Sequence, residues 1–223
     1  MYQFSYFKER DKARILEFLE AYPFAFLTGS FKNGEQVATQ IPVITEERHG
    51  ELYVRGHIMR QTDHEKAFRE NANGLLVFTG PNAYVSATWY SNPLSGSTWN
   101  YMSVHVKGQL RFLSADELKT LMRDLTLKFE GGNRYSKTIY DNLPGDYLNK
   151  MMPAIAGFEI KADMLDNVFK LSQNKDEESY LRIIRELEER GGNSALVAEE
   201  MKKRKAELFR PNGSGITPNT ISE

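Results

Sequence analysis

The feature that most constrains this chain is that residues 24–113 are written as short β-forming runs separated by turn residues. Residues 24–30 form an apolar run and Asn33-Gly34 is a hairpin signal. Val37, Thr39, Ile41 and Val43 then alternate with Ala38, Gln40 and Pro42, the period of a strand with one buried face. Pro42 has no N–H for a ladder and is expected at an edge, a bulge or a strand end. After a turn near His49-Gly50, Leu52, Val54 and Ile58 share one face of a strand and Tyr53, Arg55 and His57 the other. Residues 75–79 and 83–90 read as two strands joined by Gly80-Pro81-Asn82, and 99–113 as a long one in which Gly108 permits a bulge. Residues 155–162 and 167–171 return to strand. Six to eight such strands need their edges removed, and closure into an antiparallel barrel does so.

Helices decorate this framework. Ile15, Leu16, Phe18 and Leu19 make one face of a helix within residues 8–22, which Pro23 stops. Thr62 with Glu65, and Ser114 with Glu117, are capping-box patterns. The second opens a helix with Leu118, Leu121, Met122 and Leu125 on one face. Pro144 opens a short helix through Met152. From Asp176 the pattern becomes helical, first through Tyr180, Ile183, Ile184 and Leu187, then through Leu196, Val197, Met201 and Leu208. The expected organisation is a barrel domain over 1–174 with inserted helices, a helical extension over 175–208, and a disordered tail over 209–223.

Composition narrows the chemistry. The 223 residues carry a formal net charge of −1, which removes the global positive field of a non-specific nucleic-acid binder. Without cysteine there is no disulfide, zinc ribbon, iron–sulfur cluster or thiol nucleophile. The N-terminal stretch has no signal-peptide core, and no apolar run approaches the ~20 residues of a membrane span, so a cytoplasmic location is expected. GxSxG, P-loop and GxGxxG signatures are absent. His49, His57, His64 and His105 match no compact metal spacing, so no metal is expected.

Two stretches could carry a ligand. Residues 79–107 hold both tryptophans and three tyrosines beside Ser, Asn and Gly, which suits a flat heteroaromatic ligand and equally a core or subunit interface. At the strand-to-helix junction, His57, Arg60 and Gln61 lie where a cation and unpaired helix amides cradle a phosphate; a solvated arginine and a routine Thr62 cap are the plain alternative. The basic run Lys202-Lys203-Arg204-Lys205, flanked by Glu199-Glu200 and Glu207, reads as a salt-bridged helical face rather than a DNA contact.

The blocks VATQIPV, LYVRGHIMR, VFTGPNAYVSATWY, TWNYMSVHVKGQLR and AGFEIKADMLDNVFKLSQN resemble, in order and spacing, those of the PaiB family, the FMN-binding negative transcriptional regulators. The similarity covers roughly residues 1–208. It implies an FMN-binding split β-barrel of Greek-key type, mainly β with peripheral helices, related to pyridoxamine phosphate oxidase and usually a homodimer. By that resemblance Arg60 and Gln61 hold the FMN phosphate, joined by Thr39, Gln40, His57 and Ile58. Trp89, Trp99, Asn100 and Tyr101 lie around the ring or on the partner subunit's side of the pocket, and Lys170, Ser172 and Gln173 supply late polar contacts. Two departures stand out: Ala38-Thr39-Gln40 replaces an ATH block, and Ala87-Thr88 follows Ser86 where relatives often have Pro. The implied function is FMN binding, as a flavin-dependent oxidoreductase or a flavin-responsive negative regulator of gene expression, with no catalytic residue assigned. Haem or no ligand in place of FMN, a ligand-free interaction protein, and a direct DNA-binding repressor are the alternatives. The last is disfavoured because the clearest helices, DEESYLRIIRELEER and EEMKKRKAEL, are acidic or mixed.

Overall fold

The computed structural model describes residues 1–92 and 94–209. Its elements in order are α1 (Lys12–Ala21), β1 (Phe24–Ser30), β2 (Gln36–Arg48), β3 (Glu51–Met59), α2 (Asp63–Glu70), β4 (Asn73–Val85), β5 (Thr98–Phe112), α3 (Ala115–Phe129), α4 (Gly145–Met151), β6 (Ile155–Lys161), β7 (Met164–Lys170), α5 (Glu177–Arg190) and α6 (Gly192–Leu208), with single 3₁₀ turns between some of them. The chain divides into two compact units. The larger comprises Leu16–Phe78 and His105–Asp166; the smaller comprises Met1–Ile15, Thr79–Val104 and the chain from Asn167.

In the larger unit the strands pair antiparallel: β1 with β2 and β4, β2 with β3, and β6 with β3 and β5. The turns follow from local chemistry. Gly34 takes φ +90° after Asn33, and its N–H donates to Phe31 O. His49 and Gly50 both have positive φ, at 52° and 82°, as a two-residue hairpin whose twist matches its strands requires. Pro42 sits where β2 changes partner, from Phe24 of β1 at Pro42 itself to Gly56 of β3 at Val43. A residue without an N–H is tolerated there because one ladder ends as the other begins.

The period-2 pattern of β3 holds: Leu52, Val54 and Ile58 are buried, while Tyr53, Arg55 and His57 are half-buried on the other face. Part of that second face is covered by α3, whose Leu118, Leu121 and Leu125 pack with Ile44 and Ile155. Each such burial stabilises by about 1.5–3 kcal/mol. The helix start is fixed by a complete capping box: Ser114 Oγ accepts from Glu117 N and Glu117 Oε2 accepts from Ser114 N. Beside it the buried Glu159 carboxylate accepts from Arg48 Nη1 at 2.7 Å and Arg111 Nη2 at 2.9 Å, so a charge taken from water is matched by two cations. At Gly108 a side chain is excluded outright. A Cβ there would overlap the Lys161 carbonyl oxygen and stand 2.9 Å from Ile160 Cγ2.

The smaller unit carries the C-terminal helix pair. Tyr180, Ile183 and Leu187 of α5 and Val197, Ala198 and Met201 of α6 are fully buried, and Tyr180 Oη donates to Met201 O at 2.8 Å. Burial pushes the Tyr180 phenol up. Asn167 clasps the N-terminal segment, accepting from Glu9 N at 2.8 Å and donating to Glu9 O at 3.0 Å. Three of the four cations in the basic run of α6 are paired: Lys202 with Glu188 and Glu199, Lys203 with Glu200, and Arg204 with Glu200 and Glu9.

One sequence expectation is corrected. Residues 75–79 and 83–90 are not two strands about a turn, because β4 runs unbroken from Asn73 to Val85 and a 3₁₀ turn over Ala87–Trp89 follows. Gly80-Pro81-Asn82 is extended because proline's fixed φ suits a strand and the residue before it is driven toward β. The expected tail falls, from residue 210 onward, outside the described residues. No helix among the described residues is long and apolar enough to cross a membrane.

Candidate functional site

The thirteen residues singled out from the sequence fall in two groups. Thr39, Gln40, His57, Ile58, Arg60 and Gln61 belong to the larger unit, and Trp89, Trp99, Asn100, Tyr101, Lys170, Ser172 and Gln173 to the smaller.

In the larger unit the end of β3 runs into α2 through Arg60 and Gln61. Gln61 has φ +66°, a left-handed turn that carries the chain from strand to helix. The helix start is held by the chain's own groups. Thr62 Oγ1 accepts from Glu65 N, and the Glu65 carboxylate, itself buried, accepts from Gln61 N and from Arg69. Glu65 stays below its usual range despite opposing burial, because the Gln61 amide and the Arg69 and Arg60 guanidiniums favour its charge. Arg60 donates from Nε to Ile155 O at 2.9 Å, and its Nη1 lies 3.6 Å from Glu65 Oε1. Its Nη2 edge has no hydrogen bond or ion pair among the described residues, and the side chain is 41% exposed.

His57, three residues earlier, is half-buried, and burial pushes its imidazolium down, so the ring is neutral near pH 7. Its Nδ1 is buried and has no partner among the described residues. Such orphaned atoms are uncommon and call for an explanation. Ile58 is a core residue, 2% exposed, opposite Ala156 in the β3–β6 ladder. Thr39 and Gln40 stand on β2 opposite Leu27 and Phe26, half-buried and exposed respectively.

In the smaller unit, Trp89 is buried beneath the Arg190 guanidinium, whose Cζ stands 4.3 Å from the ring centroid, while Trp99 is 54% exposed and meets Tyr84 edge-on at 6.0 Å. Asn100 is fully buried. It accepts from Ser172 Oγ at 3.0 Å and directs its amide at Met201 Sδ. Tyr101 is half-buried, and burial pushes its phenol up. The turn after β7 is locked by its own side chains: Gln173 accepts from Leu171 N and donates to Phe169 O, and Ser172 is held at φ +62°. Gln173 is thereby spent on the turn.

This turn flanks a cavity of about 270 Å³ that also takes in Tyr2, Tyr6, Phe7, Tyr90 and Thr98. Lys170 and Lys175 enter it, and Lys170 Nζ donates to Thr98 Oγ1. The sequence pointed to Lys170 and Ser172, and to Tyr90 within the aromatic stretch 79–107, but not to the N-terminal aromatics or Lys175. The aromatic spacing of MYQFSYF was the available signal.

The described residues contain no cluster of metal-ligating side chains. The groups fit a phosphorylated heteroaromatic ligand. A cation with an open edge suits a phosphate, and a neutral imidazole nitrogen lacking a partner suits a polar ring edge. Comparison with known proteins addresses the ligand class. Residues 1–164 match the family described as "Putative FMN-binding domain". This chain belongs to that FMN-binding family. Over 203 residues it is 30% identical to the Protease synthase and sporulation protein PAI 2 of Bacillus subtilis (strain 168), with 91% of this chain and 97% of the relative covered, which places it in the PaiB group.

Among solved structures, the FAD and haem binding protein of Mycobacterium smegmatis is similar at TM-score 0.53 and 18% identity, covering 73% of this chain and 72% of that one. The flavocytochrome Anf3 of Azotobacter vinelandii is similar at TM-score 0.53 and 19% identity, covering 81% and 78%. The fold class expected from the sequence, a mainly antiparallel split β-barrel with peripheral helices, is the one this FMN-binding family member adopts.

Proposed function

We propose that this chain binds FMN and that the β3–α2 junction takes its phosphate, through the open Nη2 edge of Arg60 and the side chain of Gln61, with His57 Nδ1 available to a polar atom of the ligand. The observation that carries this reading is the pairing of an FMN-binding family match over residues 1–164 with a junction in that span whose guanidinium edge and buried imidazole nitrogen lack partners. Bound FMN supplies hydride or electron transfer, while the chain binds it, orients it and sets its surroundings. His57, neutral near pH 7, offers Nδ1 as a donor or an acceptor according to tautomer, and no side chain is assigned here as a proton donor to substrate.

The regulatory role suggested by the family is read as acting through the flavin and not through DNA contact. Three of the four cations in the basic run of the C-terminal helices, Lys202, Lys203 and Arg204, are paired with Glu188, Glu199, Glu200 and Glu9. A groove-reading helix instead presents unpaired cations to phosphate. The test is an absorbance spectrum of purified protein incubated with FMN and then gel-filtered. Retained flavin is expected, with affinity falling about tenfold or more in Arg60→Ala, the scale of a lost charge-assisted hydrogen bond. A preparation that retains no flavin refutes the reading.

A further inference from the structure

The cavity of the smaller unit lies partly outside the family match, which ends at residue 164, whereas the turn that flanks it comes from residues 170–175. Its chemistry is unusual in three ways. One wall is aromatic: Phe4 stacks on Tyr6 at 5.4 Å, Tyr6 meets Phe7 edge-on at 4.4 Å, and Tyr90 contributes a further ring. Two ammonium groups lean on those rings, with Lys175 Nζ 3.8 Å from the Tyr90 centroid and Lys170 Nζ 5.6 Å from that of Tyr2. Neither lysine forms an ion pair among the described residues. The nearby carboxylate, Asp176, is already committed as an acceptor from Ser91 Oγ and from Ser179 N and Oγ. Finally, Tyr90 is only 4% exposed, and its hydroxyl is buried without a hydrogen-bond partner among the described residues.

A buried hydroxyl left unpaired costs about 1–3 kcal/mol, and two half-buried cations disfavour one another's charge; an anion offsets the second deficit directly, and the first where one of its oxygens reaches the hydroxyl. The strained turn is part of the same arrangement. Ser172, though not glycine, is fixed in the left-handed region by its hydroxyl on buried Asn100, and Lys175 N donates to Ser172 O, which sets the two lysines on either side of one tight bend. At about 270 Å³ the cavity is slightly below the range that encloses drug-sized ligands, which suits a one- or two-ring molecule.

We infer that this cavity is a second ligand site, distinct from the FMN site, for a small planar aromatic carboxylate. Its ring packs among the N-terminal aromatics and Tyr90, and its carboxylate is held by Lys170, Lys175 and the Tyr90 hydroxyl. Lys170 and Ser172 thereby serve a ligand other than the flavin to which family resemblance assigns them.

The probe is 1-naphthoate, titrated calorimetrically into the full chain freed of flavin, so that success or failure of FMN binding does not enter the measurement. Saturable one-site binding is expected, at least tenfold tighter than for 1-naphthalenemethanol, which has the same ring system and no charge. Lys175→Met and Lys170→Met should each weaken it about tenfold or more. Tyr90→Phe removes only the orphaned hydroxyl, so it should melt at or above the parent temperature while binding 1-naphthoate several-fold less tightly. Equal binding of the neutral and charged probes, absence of binding, or unchanged affinity in all three variants overturns the inference. So does one-for-one displacement of bound 1-naphthoate by FMN, which would make the cavity the flavin's own.

Discussion

Replacing Gly108 by alanine adds one methyl group where the structure has no room for it. The new Cβ would overlap the Lys161 carbonyl oxygen, and it would stand 3.1 Å from that residue's carbonyl carbon and 2.9 Å from Ile160 Cγ2. The first obstacle is backbone, so no rotamer change relieves it. To reach ordinary contact the end of β6 must retreat by about 1 Å or more. That retreat pulls on the hydrogen bond from Asp163 N to Lys107 O, 2.9 Å long. Overpacking costs about 1–3 kcal/mol and a weakened backbone hydrogen bond about 1 kcal/mol, which puts Gly108→Ala about 2–4 kcal/mol below the parent. For a chain of this size that is a fall of about 5–15 °C in Tm, read by far-ultraviolet circular dichroism.

Two companions calibrate the experiment. Gly157→Ala meets side chains and no backbone among its nearest neighbours, Leu118 Cδ1 at 2.9 Å and Leu113 Cδ1 at 3.1 Å and Cβ at 3.4 Å, so it should cost less. Gly145→Ala meets nothing within 4 Å at the start of α4 and should be neutral or slightly stabilising. If Gly108→Ala melts within 2 °C of Gly145→Ala, at the resolution such shifts allow, the close approach of β5 and β6 is not what the structure describes.

The α3 capping box predicts acid sensitivity. Glu117 is held down to about 2 by the Arg111 guanidinium first and then by the Ser114 amide, against an ordinary value of 4.5. A lowered folded value gives stability that is present above pH 4.5 and lost as pH falls toward 2, so Glu117→Gln should flatten that part of the acid limb in urea melts taken from pH 5 to pH 2. Thr62→Ala removes the α2 cap and should cost about 1 kcal/mol by chemical denaturation, with no change in the slope of the transition. The homodimer that the family resemblance implies is tested at Trp99, an aromatic that is 54% exposed. Light scattering after gel filtration should give twice the chain mass, and Trp99→Glu should give the chain mass alone.

Most of the larger unit was legible in the sequence because its signals are local. The Asn33-Gly34 and His49-Gly50 turns, the alternation of β3 and the Ser114–Glu117 box each depend on residues within a few positions of one another. Gly80-Pro81-Asn82 misled because a turn signal is statistical, while an extended Gly-Pro is permitted whenever the strand on either side keeps its partners. The candidate sites were harder to read. Arg60 could be named, but the self-capping of α2 by Glu65 depends on a carboxylate folding back to Gln61, which spacing alone does not display. The cavity of the smaller unit was missed because its walls come from residues 2–7, from Tyr90 and residues 96–98, and from residues 170–175, and only the fold brings such distant segments together.

The smaller unit is assembled from three separate stretches of chain, the middle one interrupting the larger unit's own sequence. It therefore has no contiguous gene fragment of its own. Cutting the chain after residue 164, where the family match stops, would remove Asn167, α5 and α6 while leaving Met1–Ile15 and Thr79–Val104 behind with their apolar faces bare. Neither unit can be shuffled, transplanted or lost by a single recombination event. The C-terminal helices are thus bound to the fold of segments that precede and interrupt the larger unit, and no single cut frees them.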